Sequence, residues 1–267
     1  MTGLRWRPSF GPWRNCRVSM RHVYGSPNRR PFIVGGKPEP METIDLNSIP
    51  VRELNQRLQM RGGVVNEQEF QVLHPGGRHA LSVGLTHPID VTIEGHTGYY
   101  CGGMNQEARI TVNGNVGTGV AENMMSGCVR VKGDASQSAG ATAHGGLLVI
   151  EGDASARCAI SLKGGDVVVC GSVGHMAAFM AQAGRLVVLG DVGDDLGDSL
   201  YEADIYVGGT VASLGADCEE KEMTSDCRGE LEKLLLEAGV TADVAKFRRY
   251  GSARKLYHFN IDNAGDY

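Results

Sequence analysis

Glycine recurs with a 19-residue period along most of this chain. It stands at positions 76, 95, 114, 133, 152, 171, 190 and 209, and a second set at the same spacing occupies 127, 146, 165 and 184. A period held over that length marks a stack of repeated units, each burying its apolar residues against its neighbours. Just before each glycine of the first set runs a short alternating segment: "ARITVNG", "GCVRVKG", "GLLVIEG", "GDVVVCG", "GRLVVLG", "ADIYVGG". Period-two alternation over so few residues predicts a strand.

Stacking the units in phase aligns Val91, Ile110, Val129, Leu148, Val167, Leu186 and Ile205, and two positions on Ile93, Val112, Val131, Ile150, Val169, Val188 and Val207. Two ladders made almost wholly of β-branched residues and Leu read as the inward face of a parallel β-helix. Val116, Ala135, Ala154, Val173, Val192 and Val211 supply another wall, as do Val120, Ala139, Cys158, Ala177 and Leu196. A ladder of small residues, Gly102, Ala121, Gly140, Ala159, Ala178 and Gly197, marks a place where the cross-section is crowded. The expected fold is an all-β solenoid, a right-handed parallel β-helix with 19-residue coils and short helical caps. Its handedness follows from the usual crossover preference and from the absence of an 18-residue, every-sixth aliphatic pattern.

The glycines are accordingly read as structural: Gly95, Gly114, Gly133, Gly152, Gly171, Gly190 and Gly209 in one set, Gly127, Gly146, Gly165 and Gly184 in the other. His96, Asn115, Asp134, Asp153, Ser172, Asp191 and Thr210 follow the first set. Such side chains bond nearby backbone at turns where glycine takes strained dihedrals. A phosphate-binding loop is excluded for "GNVGTGV", because no helix of useful length follows Gly119 before the next strand begins at Cys128.

The chain divides into a basic arm over 1–40, an N-terminal cap over 41–74, the β-helix over 75–215, and a C-terminal helical cap and tail over 216–267. The arm holds eight Lys or Arg against Glu39 alone, leaving 18 bases and 30 acids in the body. An acidic body repels nucleic acid. The arm, rich in Pro, Gly, Ser and Asn and lacking an apolar signal core, is expected to be flexible, with Met41 as the expected natural start. No apolar run approaches the roughly 20 residues that a membrane-spanning helix needs. Seven cysteines without a Cys-x-x-Cys pair point to reduced thiols, cytoplasmic localisation, and neither zinc nor an iron–sulfur cluster. Helices are expected over 51–60, over 229–240, and over "TADVAKFRRY" with Thr241 as its cap.

No catalytic, cofactor-binding or metal site emerges. His144 and His175 fall on different repeat positions with no paired carboxylate, and Asp191, Asp194, Asp195 and Asp198 read as a turn and a solvated corner. One outward ladder changes character: Thr92, Thr111 and Arg130 give way to Val149, Val168, Val187 and Tyr206, flanked by Cys170 and Leu189. An apolar strip of that kind is the candidate partner face, to be covered by another chain or by the folded-back C-terminal segment.

The glycine sets, "GNVGTGVAENMMSGCVRVKGD" and "QAGRLVVLGDVGDDLGDSL" resemble the glutamate synthase Gly-x-Gly-x-Gly β-helix domain over roughly residues 75–215. Gly117 and Gly119 match the eponymous motif and Ala121 stands in place of its third glycine. With "METIDLNSIPVRELN" and "YHFNIDNAGDY" at its ends, the chain looks most like the free-standing β-helix subunit of N-methylglutamate synthase. The resemblance implies a non-catalytic structural subunit of a hetero-oligomer that converts methylamine and glutamate to N-methylglutamate and ammonia. It implies as partners a class II amidotransferase-like subunit and an FMN-dependent glutamate synthase-like subunit, with FMN and the iron–sulfur cluster held by the latter and no cofactor, nucleic acid or membrane bound by this chain. The same solenoid resembles the β-helix subunit of formylmethanofuran dehydrogenase and its counterpart in the formyltransferase/hydrolase complex. A solitary carbohydrate-active β-helix enzyme is the competing class, and a homo-oligomeric structural protein a third.

Overall fold

The computed structural model describes residues 41–59 and 69–254. The basic arm and the tail from 255 onward lie outside the described residues, as does 60–68. A single 11-stranded sheet forms one wall of a right-handed solenoid of about seven turns. Nine strands stack in parallel and in sequence: β1 (Glu42–Asp45), β2 (Glu69–Leu73), β3 (Asp90–Glu94), β4 (Arg109–Val112), β5 (Cys128–Val131), β6 (Leu147–Ile150), β7 (Lys163–Val169), β8 (Ala183–Val188) and β9 (Asp204–Val207). From β3 onward the register keeps the period of the sequence, pairing Val91 with Ile110, Ile110 with Val129, and so on to Ile205. Both inward ladders are buried throughout. Each such Val, Ile or Leu contributes about 1.5–3 kcal/mol from burial, so the repeated apolar pair, more than any single coil, holds the stack.

A second wall is made of single-residue parallel bridges linking Val116, Ala135, Ala154, Val173, Val192 and Val211. The third wall has no strands. Each coil there places three residues, two apart, in the left-handed region: Tyr100, Gly102 and Met104 (φ 60°, 65°, 55°), Gly119, Ala121 and Asn123 (74°, 56°, 54°), and so on to Asp195, Gly197 and Ser199 (60°, 64°, 57°). The small-residue ladder is the middle member of each triplet. Crowding is real there, since a Cβ on Gly140 would stand 2.9 Å from Val167 Cγ2, but the shared dihedral is the stronger constraint. Ala121, standing for the motif's third glycine, takes the same left-handed conformation as Gly102. Inter-coil hydrogen bonds hold it: the outer members donate forward, as Gly119 N–H does to Gln137 O, and the middle one backward, as Ala121 N–H does to Cys101 O. The backbone polar groups are thereby satisfied without a β-ladder.

The first glycine set serves a purpose other than the expected strain. From Gly114 to Gly209 none has left-handed φ. What excludes a side chain is the preceding coil: a Cβ on Gly133, Gly152 or Gly171 would lie 2.1 Å from the side-chain oxygen of Asn115, Asp134 or Asp153. Those oxygens are accepting the backbone N–H of the following coil, Asp134, Asp153 and Ser172, at 3.0, 2.9 and 2.7 Å. His96 Nδ1, Ser172 Oγ and Asp191 Oδ1 continue the series to Asn115, Asp191 and Thr210. Glycine and polar neighbour are one device, bonding coil to coil. In the second set Gly127, Gly146 and Gly184 do take positive φ, whereas at Gly165 the strain moves to Gly164 (φ 150°) and the sheet shifts register between Lys163 and Asp166.

The ends are closed by more than helices. Helix α1 (Val51–Leu58) buries Leu54 and Leu58, and Asn55 and Gln59 beside it donate to the carbonyls of Ala80 and Val83. The segment expected as an N-terminal cap thus also carries two strands of the sheet. At the other end α2 (Ser225–Glu237) is capped by Thr224, whose hydroxyl accepts the Cys227 N–H. "TADVAKFRRY" is not a helix: a 3-10 turn over Val244–Lys246, capped by Asp243, leads into β11 (Arg248–Ser252). Strand β11 pairs antiparallel with β9, and β10 (Cys218–Lys221) pairs antiparallel with β11, so a reversed hairpin seals the edge that the stack would otherwise expose.

Candidate docking surfaces

The buried thiols and three of the four clustered acids are held within the described residues. Burial pushes the thiols of Cys101 and Cys158 up to about 12, where no thiolate forms at neutral pH. Cys101, Cys158, Cys170, Cys218 and Cys227 are free thiols. No group of three or more His, Cys, Asp or Glu among the described residues is arranged to hold a metal ion. Of the acidic cluster, Asp191 accepts from the N–H and hydroxyl of Thr210, which lowers its pKa. Asp194 accepts from Ser213, and Asp198 from Ser199 and the Ala216 N–H, tying down the last coil. His144 and His175 are exposed, on different coil positions.

The apolar strip is covered from within the chain. Val149, Val168, Val187 and Tyr206 are fully buried under α2 and its sequel, packed with Leu231, Leu234, Leu235 and Phe247, while Cys170 and Leu189 lie at the margin. As a partner face these residues are therefore corrected: the folded-back C-terminal segment occupies the strip. The Tyr206 hydroxyl is buried there without a hydrogen-bond partner among the described residues, and desolvation raises its pKa. Where the outward ladder turns polar the covering stops. Arg130, 1% exposed, donates to the Ala238 carbonyl at the C-terminal end of α2 and to Glu151, which Lys132 also reaches at 2.6 Å. A cation at a helix C-terminus meets the negative end of its dipole. Burial lowers the Arg130 pKa against the raising effect of Glu151, yet guanidinium stays charged.

Beyond Arg130 the outer face of β2–β5 forms a groove of about 840 Å³ whose lining includes Thr92, Thr111, Asp90, Arg109, Arg130 and Lys132. Asp90 and Arg109 make a two-point ion pair across adjacent strands, and Asp166 and Arg185 repeat it at 2.7 Å in later coils.

The third wall presents a different surface. Tyr99, Tyr100 and Met104 are 51%, 49% and 53% exposed on one coil. His79 stacks on Tyr99 at 4.5 Å, and Tyr100 meets Tyr99 edge-on. The sequence ladders pointed to the inward side of this wall and said nothing of its outward side, because a left-handed triplet does not alternate like a strand.

No family model matches the chain. Among curated proteins it is 57% identical over 229 residues to "Protein GlxC" of Rhizobium meliloti (strain 1021), an alignment that takes in 85% of this chain and 100% of that protein.

Proposed function

The chain belongs to the family of Protein GlxC, free-standing β-helix proteins of the glutamate synthase type, and from that membership we propose that it is a non-catalytic structural subunit of a glutamate synthase-like complex. The complex we favour is N-methylglutamate synthase, joining methylamine and glutamate to give N-methylglutamate and ammonia. The observation that carries this reading is that acids, hydroxyls and a histidine repeated along the corner of the coils are spent on holding coil to coil. What is left for function is surface. The chain holds an amidotransferase-like subunit and an FMN-dependent synthase-like subunit in register, and FMN and the iron–sulfur cluster reside in the latter. It binds no cofactor itself and works in the cytoplasm. No helix among the described residues is long and apolar enough to cross a membrane.

Affinity purification of the chain from its native cell tests this, read by mass spectrometry of stoichiometric partners and by the absorption spectrum of the eluate. Recovery with an amidotransferase-like chain and a flavin-coloured synthase-like chain supports the assignment. Recovery with formyltransferase and amidohydrolase-like chains would replace it with a one-carbon complex.

A further inference from the structure

Nothing among the described residues covers the third wall, and its outward side chains form a pattern with a centre. Tyr100 and Met104 occupy the first and last positions of one left-handed triplet, and four coils later Met176 and Met180 occupy the same positions, with Phe179 beside them. Between these apolar coils stand Glu122 and the exposed Arg157, neither with an ion-pair partner in the described chain. The middle coil carries only small and polar groups there, among them Ser138, Ala141 and Thr142. Tyr, Met and Arg are among the side chains enriched at interfaces.

We propose that this wall is a self-complementary interface on which a second copy of the chain docks with the two solenoids antiparallel. A two-fold axis lying in the wall and crossing the solenoid at the Ser138–Thr142 coil sets each residue opposite the same coil position an equal number of coils away. Tyr100 then faces Met176, an aromatic against a thioether, and Met104 faces Met180. Arg157 faces Gly119. A Cβ on Gly119 would stand 2.8 Å from Glu122 Oε2, so the Glu122 carboxylate lies where the incoming guanidinium arrives. Each charge left single in one copy meets its opposite in the other, twice by symmetry. At the rim, His79 comes beside Asp194. Placing the axis along the solenoid instead would stack Asp194, Asp195 and Asp198 against their own copies, and like charges oppose association. The inference goes beyond the partner assignment above and does not rest on it; within that assignment, the complex contains two copies of this chain joined back to back.

Sedimentation of the purified full chain at micromolar concentration tests the proposal. The wild type runs as a dimer. Arg157→Glu and Glu122→Arg each weaken dimerisation by at least about tenfold, and the double variant Glu122→Arg/Arg157→Glu regains it, with the far-UV circular dichroism of all three matching the wild type. Gln137→Cys, on the axis coil, forms an inter-chain disulfide under mild oxidation. A monomeric wild type, a dimer indifferent to both charge reversals, or a double variant no better than the singles would overturn it.

Discussion

In three successive coils a carboxamide or carboxylate oxygen occupies the space where the next comb glycine would carry its Cβ, so Asn115, Asp134 and Asp153 dictate Gly133, Gly152 and Gly171. Gly152→Ala should lower stability by about 1–3 kcal/mol by overpacking, since the new methyl falls 2.1 Å from Asp134 Oδ1. In an Asp134→Ala background the same substitution should cost less, because the oxygen is gone and only the Gly133 carbonyl at 2.8 Å remains; a double-mutant cycle on urea melts measures the coupling, and additive effects would refute it. Asp191 gives the device a pH dependence. Its pKa is lowered in the folded chain, first by the Thr210 N–H and then by the Thr210 hydroxyl, so its contribution is present above the ordinary value of 3.8 and fades as pH falls through the folded value. The melting-temperature gap between wild type and Asp191→Asn should accordingly narrow below about pH 4; a gap constant down to about pH 2 would contradict this.

Helix α2 is held at one end by a hydroxyl cap and at the other by a charge. Removing Arg130 leaves the Ala238 carbonyl without its charged donor at a buried helix end and Glu151 with Lys132 alone. Arg130→Leu should therefore destabilise the chain by about 3–5 kcal/mol, and the loss should be local. Hydrogen exchange is expected to quicken over 225–247 well before it quickens in β3–β8. Uniform loss of protection would mean that strip and helix unfold with the solenoid as one unit. The sequence marked the strip and the helix separately, and both exist. It left open what covers the strip, because nothing in the local pattern of Val149, Val168 and Val187 differs between a face buried by a neighbouring chain and one buried by a later helix of the same chain, here the one that starts at Ser225. The reversed strand β11 was missed for a related reason: "KFRRYGS" lacks apolar alternation, being charged where it faces solvent and paired with β9 through its backbone.

A stack in which each coil satisfies its neighbours has two ends that do not satisfy themselves. Removing everything after residue 215 would uncover both the β9 edge and the apolar strip at once. The truncated chain should then form concentration-dependent aggregates, visible by light scattering, while the full chain does not; a monodisperse truncated chain would show that the hairpin and α2 are dispensable to the solenoid. The family resemblance, carried by the glycine sets and the ends, matched the relative found by comparison, since spacing is a property of the chain itself.

The period, the sheet register and the inward ladders were all legible in the amino-acid order, because a parallel β-helix repeats one short-range pattern and each coil meets its neighbours at a constant sequence separation. So were the positions that exclude a side chain, although not whether space or dihedral was the cause. It took the folded chain to establish that the third wall is built from left-handed triplets, that a carboxylate fills the place of a missing Cβ, and that the C-terminal segment closes over Val149 to Tyr206. Those outcomes depend on hydrogen bonds between coils and on contacts between segments far apart in the chain, where propensity and local spacing carry no information.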